Sequence, residues 1–417
     1  MQAMLDVQSP SASASDPGPA PAQRAERVGF WLFASHLFGI FGIALSNILL
    51  AVSVLAAPRT VRRPLELREL APLLVPLGLY VLLLAAAIAA SYQPRDSLRG
   101  LTEVFNLSTL LLAPLLVRGE KDVRRLVDGL LMIAALSAAY GLGQYLFGYG
   151  DLDRRIRGTF SHYMTFAGFL LICDLLLLAS MTFSDRWRQP WRWVALAAVN
   201  VALVGSYTRG AWVALGFAVT ALLIVRAPRL LLAYVPAAVL FILLAPVPLL
   251  QRVGSIADLR DSSNYDRLCM ASAGLTMIQE RPLFGIGPEG VKHRYAIYRP
   301  ATAPRYQVPH LHNSFLNLAA ERGLPALASY LALTLVSAGL AWRRYVREGG
   351  RHGPRADLWM GVLLALFAFN VAGLFENNWG DTEVQRPLLF VLALPFCLLA
   401  GGREREEAEA GEAPVIH

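Results

Sequence analysis

Charge is scarce in this sequence. Asp, Glu, Lys and Arg make up 16% of its 417 residues, against 55% hydrophobic. A soluble domain rarely shows that balance, so a water-surrounded enzyme is excluded first. Lysine is nearly missing: Lys121 and Lys292 are the only two. The choice of arginine over lysine at any one position therefore says little. Of three cysteines, Cys173 and Cys397 fall in apolar runs and Cys269 in a polar stretch, with no CxxC and no disulfide framework. The chain holds no HExxH, no Walker-type P-loop and no GxSxG. A zinc protease, an ATP-driven pump and a serine hydrolase would each need one of these. The short alternating strands of a membrane β-barrel are missing too, as are internal repeats and room for a separate soluble domain.

Long apolar runs take their place. They lie at about 30–57, 71–91, 101–117, 126–147, 164–182, 191–206, 211–226, 229–250, 312–341, 356–374 and 387–400. Each nears the length that crosses about 30 Å of hydrocarbon, and backbone groups in lipid must pair within their own segment, so helices are expected. The first run is flanked by Arg24 and Arg27 before it and by Arg59, Arg62, Arg63 and Arg68 after it. Arginine on both sides puts both flanks in the cytoplasm. The run then counts as two passes, near 30–43 and 44–57, giving twelve spans with both termini inside. Under this topology 22 of the 38 Lys and Arg lie inside, against seven in short outer loops and nine in one long outer stretch, 251–322. Long loops weigh little in the rule, so the bias is clear. The net charge of +8 is loop bias of this kind and not a nucleic-acid surface. The expected layout is a disordered cytoplasmic N-terminus over 1–27, a transmembrane domain over 28–400 with a large outer loop at about 251–311, and a cytoplasmic tail over 401–417. The first run is too long for the core of a signal peptide.

The outer face then gathers five polar segments: DLDRRIRGTFSH (151–162), SYTRGAW (206–212), NYDRLCMASAGLTMIQERPLFGIGPEG (264–290), HLHNSFLNLAAERGLP (310–325) and FENNWGDTEVQR (375–386). Arg209 sits in a very short turn between two apolar runs. It is either a ligand for an anionic headgroup or a helix-end arginine reaching back to the interface. Arg267 opens an amphipathic helix of about 17 residues with Leu268, Ala271, Leu275 and Ile278 on one face, ended by Pro282 and GIGPEG. The glycines of that turn could let backbone approach a phosphate. Alternatively this is a surface helix with Arg267 solvated. His312 starts a short helical pattern that Gly323 and Pro325 break. It could act as a base near neutral pH or be a polar helix start, and His310 and His162 compete for the role. Asp151 and Asp153 form a DxD, a short pattern that some sugar transferases use for a divalent cation.

Taken in order, the TRGAW turn with Arg209, the stretch from Arg267 through MIQERPLFGIGPEG, and HNSFLNLAAERGLPA from His312 resemble the O-antigen ligase/polymerase superfamily, within it the WaaL-type O-antigen ligases. The resemblance covers about 28–400. The family's HPN stands here as His162-Tyr163-Met164, a departure that removes support for His162. The resemblance implies an all-α, glycosyltransferase-C-like (GT-C-like) protein of the bacterial inner membrane with its active site facing the periplasm. It implies transfer of a glycan from undecaprenyl diphosphate to the lipid A–core oligosaccharide, with inversion and with neither cofactor nor metal. Arg209 and Arg267, with Arg157 as a third cation, would hold the diphosphate. His312 would activate or orient the acceptor hydroxyl, and Asn313, Glu376 and Asp381 would position sugars. The partners implied are those two substrates and membrane lipids. The alternatives are an O-antigen polymerase or protein O-oligosaccharyltransferase of the same superfamily and, in another class, a lipid or polysaccharide transporter. A transporter would carry ionisable residues deep in several spans, whereas here Asp174, with His36 and Asn200, is the main mid-span polar group.

Overall fold

The computed structural model describes residues 21–39, 42–61, 67–148, 155–244, 247–256, 258 and 260–411. Asp151 and Asp153 of the DxD, Arg62, Arg63 and most of the N-terminal segment lie outside them. Among the described residues every element is helical. The chain runs through α1 (Pro21–Phe38), α2 (Ile43–Thr60), α3 (Leu67–Ala89), the single turn α4 (Pro94–Ser97), α5 (Leu101–Leu116), α6 (Gly119–Leu146), α7 (Tyr163–Thr182), α8 (Pro190–Gly205), α9 (Arg209–Arg226) and α10 (Leu231–Leu244). Four shorter helices follow: α11 (Val247–Gly254), α12 (Ser262–Glu280), α13 (Gly290–Tyr298) and α14 (Ser314–Arg322). The chain closes with α15 (Leu324–Arg347), α16 (Ala356–Gly373) and α17 (Thr382–Gly411).

Eight of these helices are long and apolar enough to cross a membrane, and α8 and α10 are shorter apolar helices. The first run is covered by two helices, Pro21–Phe38 and Ile43–Thr60, and the other apolar runs each carry helix. One boundary differs: the first helix begins at Pro21, inside the 1–27 segment expected to lack structure. The 312–341 run is two helices, α14 and α15, divided at Gly323 where its pattern breaks, and the φ of +89° there suits glycine and stops the helix.

Helices α7, α16 and α17 form the centre, with 89%, 78% and 83% of their apolar windows buried. Helices α2 and α9, at 22% and 28%, lie at the periphery. Outward-facing Leu55, Leu82, Leu146, Phe147, Leu232, Leu243 and Leu335 are all strongly exposed. In water so many exposed apolar side chains would drive association, while in lipid they are the expected outer face. Mid-span polarity is partly paired: Asn200 donates to one oxygen of Asp174 at 2.9 Å, and His36 Nε2 lies 3.2 Å from Thr109 Oγ1.

Helices α12, α13 and α14 make a small second core from Met270, Ala273, Met277, Ile286, Val291, Tyr295, Val308, Leu311 and Ala320. The long loop is thus a packed helical layer. Its turn from Gly285 to Gly290 is pinned to the end of α14, Ile286 N–H donating to Ala320 O at 2.8 Å and Gly287 N–H to Glu321 O at 3.0 Å. Gly285 and Gly287 have φ of +66° and +98°, and a Cβ at either would overlap neighbouring atoms. These glycines serve packing, so the phosphate-approach reading of the turn is replaced. Helix α12 spans Ser262–Glu280, beginning before Arg267 where the helix was expected to open, and is rotated from the expected face. Met270, Ala273 and Met277 pack inward while Leu268 and Leu275 face out, each about half exposed.

Candidate functional site

Loops between different helix pairs converge on His312. The residue takes a left-handed φ of +49° just before α14, whose N-terminus is capped by Asn313: its side chain accepts from Leu316 N–H at 2.9 Å. The Asn313 amide also donates to Leu374 O at 3.1 Å, strapping α14 to the end of α16. Both polar ends of Asn313 are therefore occupied in holding the loop. Ser314 Oγ adds a bond to Glu376 O at 3.0 Å. The other two non-glycine residues in the left-handed region are Tyr207, beside Arg209, and Glu289 in the GIGPEG turn. All three fall in the polar segments singled out from the sequence, and such backbone cost persists only where surroundings enforce it.

His312 Nδ1 lies 3.0 Å from both carboxylate oxygens of Glu376. A carboxylate only accepts, so Nδ1 carries the proton and Nε2 keeps its lone pair. Among the described residues Nε2 has no hydrogen-bond partner. Burial alone would raise the Glu376 carboxyl, but its hydrogen bond to His312 and the neighbouring imidazoles outweigh that and hold it down at about 2. His310 rests against His312 with ring centroids 4.4 Å apart. Its Nδ1 accepts from the His312 backbone N–H at 3.3 Å, and burial lowers its pKa to about 4. His310 is thus neutral at neutral pH, and its 3.8 Å approach to Glu376 is not an ion pair. His310, His312 and Glu376 offer ligand atoms within 4.8 Å of one another, the one cluster among the described residues able to hold a metal. Two of those atoms already face hydrogen-bond partners, so the trio is satisfied as a hydrogen-bonded group. Asp381 accepts from Thr165 at 3.0 Å, and burial, then Glu376, push its carboxyl up to about 7.

A group of arginines lies beside this pair. Arg267 is partly buried and makes no hydrogen bond or ion pair among the described residues. Burial lowers its proton affinity, Glu376 works against that, and Arg209 adds to it. Arg209 is 6% exposed and engaged: it donates to Ser255 O at 2.8 Å, to Ser255 Oγ at 2.7 Å and to Asp261 at 3.1 Å. Asp261 doubles as the N-cap of α12, accepting from Ser263 and Asn264. One carboxylate thus fixes both Arg209 and the helix that carries Arg267. Arg252 joins them, with a buried Nε that has no partner, its proton affinity lowered by burial and then by Arg209 and Arg155. Arg155 stacks on the Tyr163 ring at 4.5 Å.

The sequence reading named Arg157 as the third cation. The structure leaves Arg157 exposed, with one weak bond to Ser161 O at 3.4 Å, and brings Arg155 and Arg252 to the group instead. His162 caps α7, its Nδ1 accepting from Met164 N–H at 3.2 Å. Arg252 was marked only by its place at the end of an apolar run. Arg386, read as the end of an outer loop, is 1% exposed on α17 and donates to Ser46, Asn47 and Asn106.

Comparison with known proteins bears on the same stretch. No curated protein matches the chain. Residues 193–331 match the family model described as O-antigen ligase, a stretch of about a third of the chain that holds Arg209, Arg252, Arg267 and His312 and is similar to that family.

Proposed function

We propose that the chain is an O-antigen ligase that moves a glycan from undecaprenyl diphosphate to a hydroxyl of the lipid A–core oligosaccharide, at the periplasmic face of the bacterial inner membrane. The observation that carries this reading is the His312–Glu376 pair standing beside Arg267, a guanidinium with no counter-ion in contact. A histidine whose Nδ1–H is held by a carboxylate has its Nε2 aimed and made more basic, the arrangement a general base needs. Arginines with unfilled donors suit the two phosphates of a leaving group.

The acceptor oxygen forms a bond to the anomeric carbon as the bond from that carbon to the diphosphate oxygen breaks. The acceptor's proton passes to His312 Nε2, and Glu376 stabilises the imidazolium that results. The departing diphosphate gains negative charge, which Arg267, Arg209 and Arg252 meet, lowering the barrier. Attack opposite the leaving group inverts the anomeric centre. The exposed Leu268 and Leu275 of α12 fit a helix resting at the interface where both lipid substrates are anchored.

The test is a transfer assay with purified protein, undecaprenyl-diphosphate-linked glycan and rough lipopolysaccharide in EDTA, comparing wild type with His312→Ala. Glycan should reach the lipopolysaccharide, and the variant should lose about 10²–10⁴-fold in rate, the usual worth of a positioned base. A donor that lengthens while the acceptor stays unmodified would make the chain a polymerase. A requirement for added metal would reassign His310, His312 and Glu376.

A further inference from the structure

A cavity of about 300 Å³ opens beside His310, and the arginine group does not line it. We propose that it is the subsite for the sugar that carries the attacking hydroxyl, a neutral, hydroxyl-rich saccharide. The assignment rests on the transferase reading above and adds where the acceptor sits.

Its walls decide the ligand class. Arg99 and Lys292 stand exposed at the lining, with Glu289 paired to Lys292 at 3.4 Å, and Asn106, Asp381 and Gln385 lie further in. The lining is mainly polar, with Leu318, Trp379, Pro288 and Pro309 as its apolar part, which suits a sugar ring better than a polyprenyl or acyl chain, and the mixed charges give an anion no clear preference. Neighbouring amides and carboxylates are what a sugar's hydroxyls require, because each hydroxyl both donates and accepts. Gln385 supplies the clearest sign of a ligand. It is 2% exposed and its Oε1 accepts from Asn106 at 2.8 Å, yet its Nε2 donates to nothing among the described residues. That open donor is accessible from the cavity, where a sugar hydroxyl can take the place of water on it. Asp381 likewise has one oxygen bonded to Thr165 and the other open.

Its place decides which sugar. The cavity and the arginine group meet the His312–Glu376 pair through different residues. His310 and Asp381 line the cavity and neighbour the pair, whereas Arg267 neighbours Glu376 without lining the cavity. Inverting displacement needs nucleophile and leaving group on opposite sides of the anomeric carbon. With the diphosphate at the arginines, the cavity receives the acceptor. Glu289 keeps its lining position through a left-handed φ of +62°, which a side chain rarely adopts unaided.

Two variants test this. Thr102→Trp places a large ring from an exposed lining position into the cavity, and Gln385→Met removes the open donor at similar volume. KM for acceptor and for donor are measured separately on monodisperse protein beside wild type. Each variant should raise the acceptor KM about tenfold, the worth of roughly one lost hydrogen bond to a ligand, with the donor KM unchanged. An unchanged acceptor KM in folded Thr102→Trp overturns the assignment, even if Gln385→Met fails to fold. A raised donor KM instead would make the cavity a donor-sugar site and also overturns it. Absence of transfer by wild type would overturn the ligase reading itself, a result distinct from both.

Discussion

Two arginine clusters in the helix bundle are built in opposite ways. In the cluster around Asp128, Asp357 and Glu348, the arginines are neutralised. Arg124 pairs with Glu120 at 2.7 Å and Asp357 at 2.6 Å, Arg186 and Arg192 share Asp128, and Arg355 bonds Glu348. Each guanidinium there has a carboxylate, so the group closes on itself and ties α6, α8 and α16 together. Around His312, Arg267 and the Nε of Arg252 lack partners among the described residues, while Arg209 is held by one carboxylate and a serine. Partly buried cations left unneutralised destabilise the empty protein, and a dianionic ligand would relieve that cost. Paired arginines build the scaffold, and unpaired ones mark where charge is to arrive.

The comparison breaks first at Arg267 and Arg209. Arg267→Ala should lower transfer about 10²–10³-fold, the usual loss of a donor to developing negative charge, with Tm unchanged or slightly raised. Arg267→Lys should recover only part, since a point charge lacks the fork geometry. Arg209→Ala should lose activity and also Tm, because Asp261 and Ser255 lose their partner. Equal thermal behaviour of the two alanine variants in a melting assay would erase the distinction between them.

In the neutralised cluster, Asp128→Ala should cost roughly 1–3 kcal/mol of stability, less than a fully buried pair because Asp128 is partly exposed. Its kcat and KM should stay at wild-type values, and a kinetic defect in the folded variant would mean the two clusters are coupled. Within the site, Asp381 gives a pH signature. Its carboxyl rises from 3.8 to about 7 on folding. The native state therefore favours the protonated form, and stability is fully present below about 4 and drains as pH rises to about 7. Asp381→Asn removes that dependence, so its Tm advantage over wild type should be larger at pH 8 than at pH 5. A constant difference would remove Asp381 as the cause.

Much of this was legible in sequence because hydrocarbon imposes it. Run length set the helices, arginine flanks split the first run, and Gly323 ended α14. The face of α12 was misread for a physical reason. Periodicity assumes that apolar residues turn inward, yet Leu268 and Leu275 of α12 face outward, while Asp266, paired with Arg305 at 3.0 Å, turns inward. Glu376 had been set among sugar-positioning residues, because its bond to His312 joins positions 64 residues apart and leaves no local pattern. Arg386 was hidden by its neighbours in FENNWGDTEVQR, since nothing in that string says that α2 and α5 would enclose it.

The smallest expected effect separates local pattern from tertiary placement. In 151–162, Arg155 and Arg157 are equivalent to a reader of sequence, two cations in one polar loop. Folding separates them: Ile156 between them is 3% exposed, its N–H bonded to Gly205 O at 3.0 Å, which pins the strip against the end of α8. Arg157 opens a turn closed by Phe160 N–H to Arg157 O at 3.1 Å, and this turn parts it from its neighbour. Arg155 stacks on Tyr163 near Arg252, and Arg157 is left in solvent. If the arginine group holds the diphosphate, Arg155→Ala should raise the donor KM several-fold, about 1 kcal/mol of binding, whereas Arg157→Ala should stay within about twofold, as exposed charges do. Both should weaken with added salt if the contact is through solvent. The reverse order would return the third cation to Arg157 and mean that the loop rearranges when the lipid diphosphate binds.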